Sequence, residues 1–213
     1  MKIEIEKYVC DEEVNMLKMK KCCSVPFPEK LTEQYEIQEN RIVANVGTDK
    51  ITNMMLEFID MHDEWLFFIL ELPTNWNDEP KDENGELIGR HKDVFYIDGC
   101  SQEKAKAILM DVGDLLIDDG MNCFGFGGHE SKEEILLDKY NVMTVYTKNP
   151  EKYESFLKNH NITKTDNLVT AWNTFSEDYY GESEIYEIDG KDIYSIPEDY
   201  KKYGIYFAER RDE

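Results

Sequence analysis

The sequence predicts an α+β fold: a mainly antiparallel or mixed sheet with helices packed on one face. Three observations carry this. Short runs alternate apolar and polar residues, as half-buried strands do. Between them lie stripes of apolar residues at i, i+3, i+4 and i+7. The chain also holds an Asp189-Gly190 pair between two alternating runs, the mark of a tight hairpin.

Taken in order, Lys2 to Tyr8 alternates with Ile3 and Ile5 on one face and reads as a strand. Asp11 is suited to cap a short helix, with Glu12 and Glu13 in its first turn and Lys18, Lys20 and Lys21 at its end, until Pro26 and Pro28 break the chain. Tyr35–Ile37 and Ile42–Val46 predict a hairpin turning near Glu39-Asn40. Thr48 starts a helix whose stripe is Ile51, Met54, Met55 and Phe58. Trp65–Leu70, closed by Pro73, is short and continuously apolar, as a strand buried on both faces should be.

From Asp93 the pattern is denser. Asp93–Ile97 reads as a strand, Ser101 as an N-cap, and Ala105, Ile108, Leu109, Val112, Leu115 and Leu116 as a helical core face ending at Gly120. Cys123–Phe126 and Val142–Thr147 read as strands, and Asn149-Pro150 as a helix start with Tyr153, Phe156 and Leu157 facing inward. This order over residues 93–158 suits a split βαβ, ferredoxin-like segment. Leu168, Ala171, Trp172 and Phe175 share a helical face. The Asp-Gly hairpin over 185–194 and a strand at Gly204–Ala208 complete the chain.

At 41% hydrophobic and 12% aromatic, 213 residues can bury a core. We read residues 1–213 as one domain; the polar stretch 74–90 is the only place for a subdivision into 1–73 and 91–213. The longest apolar run is six residues, too short to span a membrane, and the N-terminus lacks the apolar stretch of a signal peptide. Five cysteines, an odd number, with no CxxC and four scattered histidines predict reduced thiols, a cytoplasmic setting, no cofactor and no metal site. Asp78, Asp82 and Asn84 near Gly85 lack the spacing and terminal Glu of a calcium loop.

Charge is the feature that bears most on function. Asp and Glu number 46 against 24 Lys and Arg, a formal net charge of -22. Such a field repels nucleic acid and anionic membrane and steers basic partners inward. Residues 176–213 hold 12 acidic side chains against 5 basic ones and 7 of the 13 tyrosines. Tyrosine supplies contact area at low entropic cost. Trp76 in the 74–90 stretch, with Tyr179, Tyr180, Glu182, Glu184, Tyr186 and Glu187, therefore forms the candidate surface for a basic protein partner, as in an inhibitor of a basic enzyme or a nucleic-acid mimic.

The alternative is an enzyme. Cys100 precedes a helix N-terminus, where the helix dipole favours a thiolate, and His129 with Glu130 follows the glycine-rich run Phe124–Gly128 as a candidate proton-transfer pair. That run lacks the spacing of a phosphate-binding loop. The oligomeric state is left open.

Overall fold

The computed structural model describes residues 17–212. Fifteen regular α and β segments follow one another: β1 (Cys23–Ser24), β2 (Gln34–Gln38), β3 (Arg41–Asn45), α1 (Thr48–Asp60), β4 (Leu66–Pro73), β5 (His91–Cys100), α2 (Gln102–Asp118), β6 (Cys123–Gly128), β7 (Glu134–Leu137), β8 (Val142–Tyr146), α3 (Glu154–Asn159), β9 (Thr163–Lys164), β10 (Glu182–Ser183), α4 (Ile196–Asp199) and β11 (Tyr206–Asp212). Nine strands make one sheet in the order β11-β5-β4-β6-β7-β8-β3-β2-β9, and β1 pairs with β10 in a second, two-stranded one. All pairings are antiparallel except β2 with β9. The α+β class with helices on one face is what the sequence predicts.

Alternation decides which face is buried. Phe68 and Leu70 of β4 lie opposite Phe126 and Phe124 of β6, and these lie opposite Ile135 and Leu137 of β7. Val145 and Met143 of β8, then Ile42 and Ala44 of β3, continue the same face. All ten belong to one core cluster with the α1 stripe (Ile51, Met54, Met55, Phe58) and the α2 stripe (Ala105, Ile108, Leu109, Leu116). The helices cover this face alone; the other carries Phe67, Ile69, Glu71, Tyr96, Glu134, Leu136 and Tyr146. Strands on both sides of the 74–90 stretch share the sheet and the core.

The predicted β2–β3 hairpin forms, with Glu39 at φ 50 in its turn. β5, α2 and β6 form a split βαβ, with β4 seated between β5 and β6 and antiparallel to both. Ser101 caps α2 by accepting from the Lys104 N–H at 3.3 Å.

The ferredoxin-like continuation is replaced by a meander. The sequence reading misses β7, a four-residue strand between two short polar turns, so β6 runs through it to β8. Gly120 is not a left-handed helix cap. A Cβ there would lie 2.2 Å from the Cys22 carbonyl oxygen, so glycine is required by close backbone contact with β1 and β10. The 167–175 helix is only a 3-10 turn, Ala171–Thr174.

At 185–194 the Asp-Gly turn is present, with Asp189 at φ 52 and Gly190 at φ 76, but it closes a single bridge, Ile188 to Lys191. The second strand is lost because the Asp192 carboxylate accepts from the Tyr194 and Ser195 N–H groups and starts a helical turn instead. The last strand, β11, pairs with β5 rather than with that hairpin. The predicted strand at 2–8 and the helix start at Asp11 lie outside the described residues. Lys20, expected at the end of that helix, is buried, its Nζ donating to the Asp119 carbonyl oxygen at 3.3 Å; burial lowers its pKa.

Candidate functional site

The sheet sorts the predicted site residues to its two ends. At one end β4 and β7 begin and β5, β6 and β8 finish, which gathers Cys100, His129, Glu130 and the exposed Trp65. At the other end lie the 74–90 stretch, the α2–β6 turn and Tyr140, and residues 171–187 wind across the last two.

The first end does not assemble a nucleophile and its base. Cys100 is fully buried, its thiol donates to the Ile97 carbonyl oxygen at 3.4 Å, and burial pushes its pKa up. That is the opposite of an activated thiolate. The His129 ring faces Asp98 at 3.3 Å rather than Glu130, whose N–H is held by the Glu64 carboxylate. Burial alone would raise the Glu64 pKa, but the Ser131 hydroxyl and the Glu130 and Ser131 N–H groups hold it below the usual carboxylate range.

The titratable cluster that sequence reasoning missed is inside. His62, 3% exposed, turns Nδ1 to the Phe58 carbonyl oxygen at 2.7 Å and Nε2 to the Glu133 carboxylate at 3.0 Å. Glu133 also accepts from Thr147 (2.7 Å), Tyr153 (2.9 Å) and Lys152. Burial would raise its pKa; the Lys152, Thr147, Tyr153 and His62 contacts bring it down to about 2. No periodicity in the sequence points to a partnership made across 71 positions. Buried except at Lys152 and saturated with partners, the cluster holds α1 to the start of β7 and the turn before α3.

At the second end the side chains are open. Trp76 is 65% exposed, with Lys81 Nζ 5.6 Å from its ring. Its loop is tied down by Glu79, which accepts from the His91 N–H at 2.9 Å and faces His91 Nδ1 at 2.6 Å. Asp82 spends its carboxylate on the Asn84 and Glu86 N–H groups, a local turn. Among the described residues no group of three or more His, Cys, Asp or Glu is placed to hold a metal ion.

Residues 171–187 rest on a ring trio, Tyr140, Trp172 and Phe175, with centroids 5.0 to 5.6 Å apart. Tyr179 leans on Phe27 at 5.2 Å, and the Gly120 N–H donates to the Glu184 carbonyl oxygen at 3.0 Å. Tyr186 is partly buried: its N–H donates to Asp119, and its hydroxyl accepts from Lys21 at 3.0 Å. The outward side chains are Trp172, Tyr179, Tyr180 and Ile185, interleaved with exposed Glu177, Asp178, Glu182, Glu184 and Glu187.

None of those five carboxylates is in an ion pair with a described residue. Elsewhere several cations are in ion pairs: Lys50 with Glu33, Lys92 and Arg211 with Glu71, Arg210 with Asp93, Lys106 with Asp60 and Lys164 with Glu154. Of the surface residues the sequence singled out, the structure gathers Tyr179, Tyr180, Glu182, Glu184, Tyr186 and Glu187 in one layer. Trp76 lies at the same end of the sheet. Trp172 is the added member, expected on a buried helical face and instead 47% exposed.

No helix among the described residues is long and apolar enough to cross a membrane. No protein-family model, curated protein or solved structure matches this chain.

Proposed function

We propose that this chain is a binding module that neutralises a basic protein partner through the surface formed by residues 172–187. One observation carries the reading: five exposed carboxylates with no ion-pair partner among the described residues stand among four exposed apolar or aromatic side chains. Aromatic anchors supply contact energy, while uncompensated carboxylates supply the steering field and select for lysine and arginine. A partner that itself binds phosphates, such as a nuclease, offers the matching surface. The Trp76 loop, at the same end of the sheet, extends the same kind of contact.

The test is retention of the partner from source-cell lysate at about 50 mM and about 500 mM salt, a range over which the Debye length shrinks severalfold. A basic protein held at low salt and released at high salt supports the reading. The triple variant Glu182→Lys, Glu184→Lys, Glu187→Lys should abolish that retention. Unchanged retention by the variant at both salt concentrations would sink the proposal.

A further inference from the structure

The helix-free face of the sheet carries a trough of about 360 Å3, within the range of ligand pockets. Its floor is Ile69 and Leu136, kept low by Gly125 of β6, which lies between them. Tyr96 on β5 and Tyr146 on β8 stand at its sides, four strand spacings or about 19 Å apart. That width admits an extended chain. The two cations along it are already engaged: Lys92 donates to Glu71 at 2.6 Å, and Arg211 donates to Glu71 at 2.9 Å and to Glu209 at 2.7 Å.

Glu134 differs. It stands directly across from Tyr146 in the register, and its side chain makes no hydrogen bond or ion pair with a described residue. Burial, and then the Glu71 carboxylate, push its pKa up, with Arg211 opposing. The trough shares Glu71, Lys92, Cys123 and Asp138 with a second hollow that reaches Trp172. It is therefore continuous with the acidic, aromatic layer.

We propose that the trough seats an extended basic segment of the protein partner, with one lysine or arginine cation on the Glu134 carboxylate beside the Tyr146 ring. The inference rests on the reading of a basic partner and deepens it. An incoming cation gives Glu134 the direct ion pair that no described residue makes with it, and the exposed phenol adds a cation–π face. From Glu134 to Asp138 the trough follows roughly 13 Å of strand, enough for about four extended residues whose alternate side chains point to the floor.

The probe is a capped peptide of alternating glycine and arginine, titrated into the isotope-labelled protein at low salt. Amide shifts should centre on Glu134, Leu136, Thr144 and Tyr146. Glu134→Gln should weaken binding about tenfold and Tyr146→Ala about threefold. Glu134→Gln removes no internal bond, so the fold serves as its own control. Equal affinity in Glu134→Gln, or shifts that centre outside the trough, would overturn the proposal. So would spermidine matching the peptide in shifts and affinity, since the site would then be one for small polyamines.

The lysate experiment separates the two claims. Loss of the partner with the 182/184/187 variant but not with Glu134→Gln leaves the acidic surface and removes the trough. Peptide binding that depends on Glu134, with lysate retention indifferent to 182/184/187, does the reverse.

Discussion

Glu133 is the side chain on which the interior polar contacts converge, and it sets an acid limit for the fold. Its folded pKa of about 2 lies below the ordinary 4.5. The stability it contributes is therefore complete above about pH 4.5 and is lost as pH falls towards 2. The shift corresponds to about 3 kcal/mol. Glu133→Gln should lose about that much in urea unfolding at neutral pH, because His62 and Lys152 are left facing a neutral amide. The variant should also have a flatter stability profile than the parent between pH 4.5 and 2; a parallel profile would contradict the assignment. Cys100 illustrates the limit of reading residues singly. Its place before a helix N-terminus is legible in the sequence, but its solvent exposure is not, because that depends on β4 and α2 closing over it. Native Cys100 should react with iodoacetamide at least about tenfold more slowly than free cysteine and reach full reactivity only on unfolding. Fast labelling of the native thiol would reopen the catalytic reading.

At the scale of elements, strong local signals survive where tertiary contacts agree with them. The α1 and α2 stripes, the β2–β3 hairpin and the Ser101 cap are all legible because each is decided within a dozen residues. The signal at 185–194 was as strong, and the turn did form, but Asp192 offered the following N–H groups a nearer partner than a cross-strand carbonyl. Asp192→Ala should cost about 1 kcal/mol through loss of that cap. β7 went unread because four residues, Glu134 to Leu137, carry too little periodicity, and its strand identity comes from β6 and β8 on either side. Gly120 makes a sharper test of the seam between the two sheets. Gly120→Ala places a methyl against backbone that cannot swing aside, so β1 and β10 must separate from the α2–β6 turn. Faster hydrogen exchange at the Cys22 and Glu184 amides is expected, with the β4 and β6 amides unchanged; global loss of protection would mean the seam is part of the main core.

For the whole molecule the governing quantity is the surplus of 22 negative charges. The composition states the surplus. Only the fold shows where it is left uncompensated, since the ion pairs are made across strands and helices far apart in the sequence. Self-repulsion of like charges strains the folded state, and added salt screens it over a Debye length. Raising sodium chloride from about 0.05 to 0.5 M should increase the Tm by about 3 °C, or roughly 1 kcal/mol for a chain of this size. A fall in Tm would show that the surface ion pairs outweigh the repulsion. The open trough could not be foreseen from sequence either. A strand that alternates apolar and polar residues does not announce whether its second face meets water, a helix or another protein.

The outermost strand has a consequence of its own. β11 presents Tyr206 and Phe207 about half exposed at the sheet's long edge, the composition that invites strand-to-strand growth into fibrils. Its register shifts between Phe207 and Glu209, and Glu209, Arg210, Arg211 and Asp212 follow at once. The irregularity bends the rim out of line, and these four ions must be desolvated by any incoming chain. The aromatic rim is thus guarded against propagation by its own last four side chains, and a concentrated solution of this protein is expected to stay free of amyloid-type assembly.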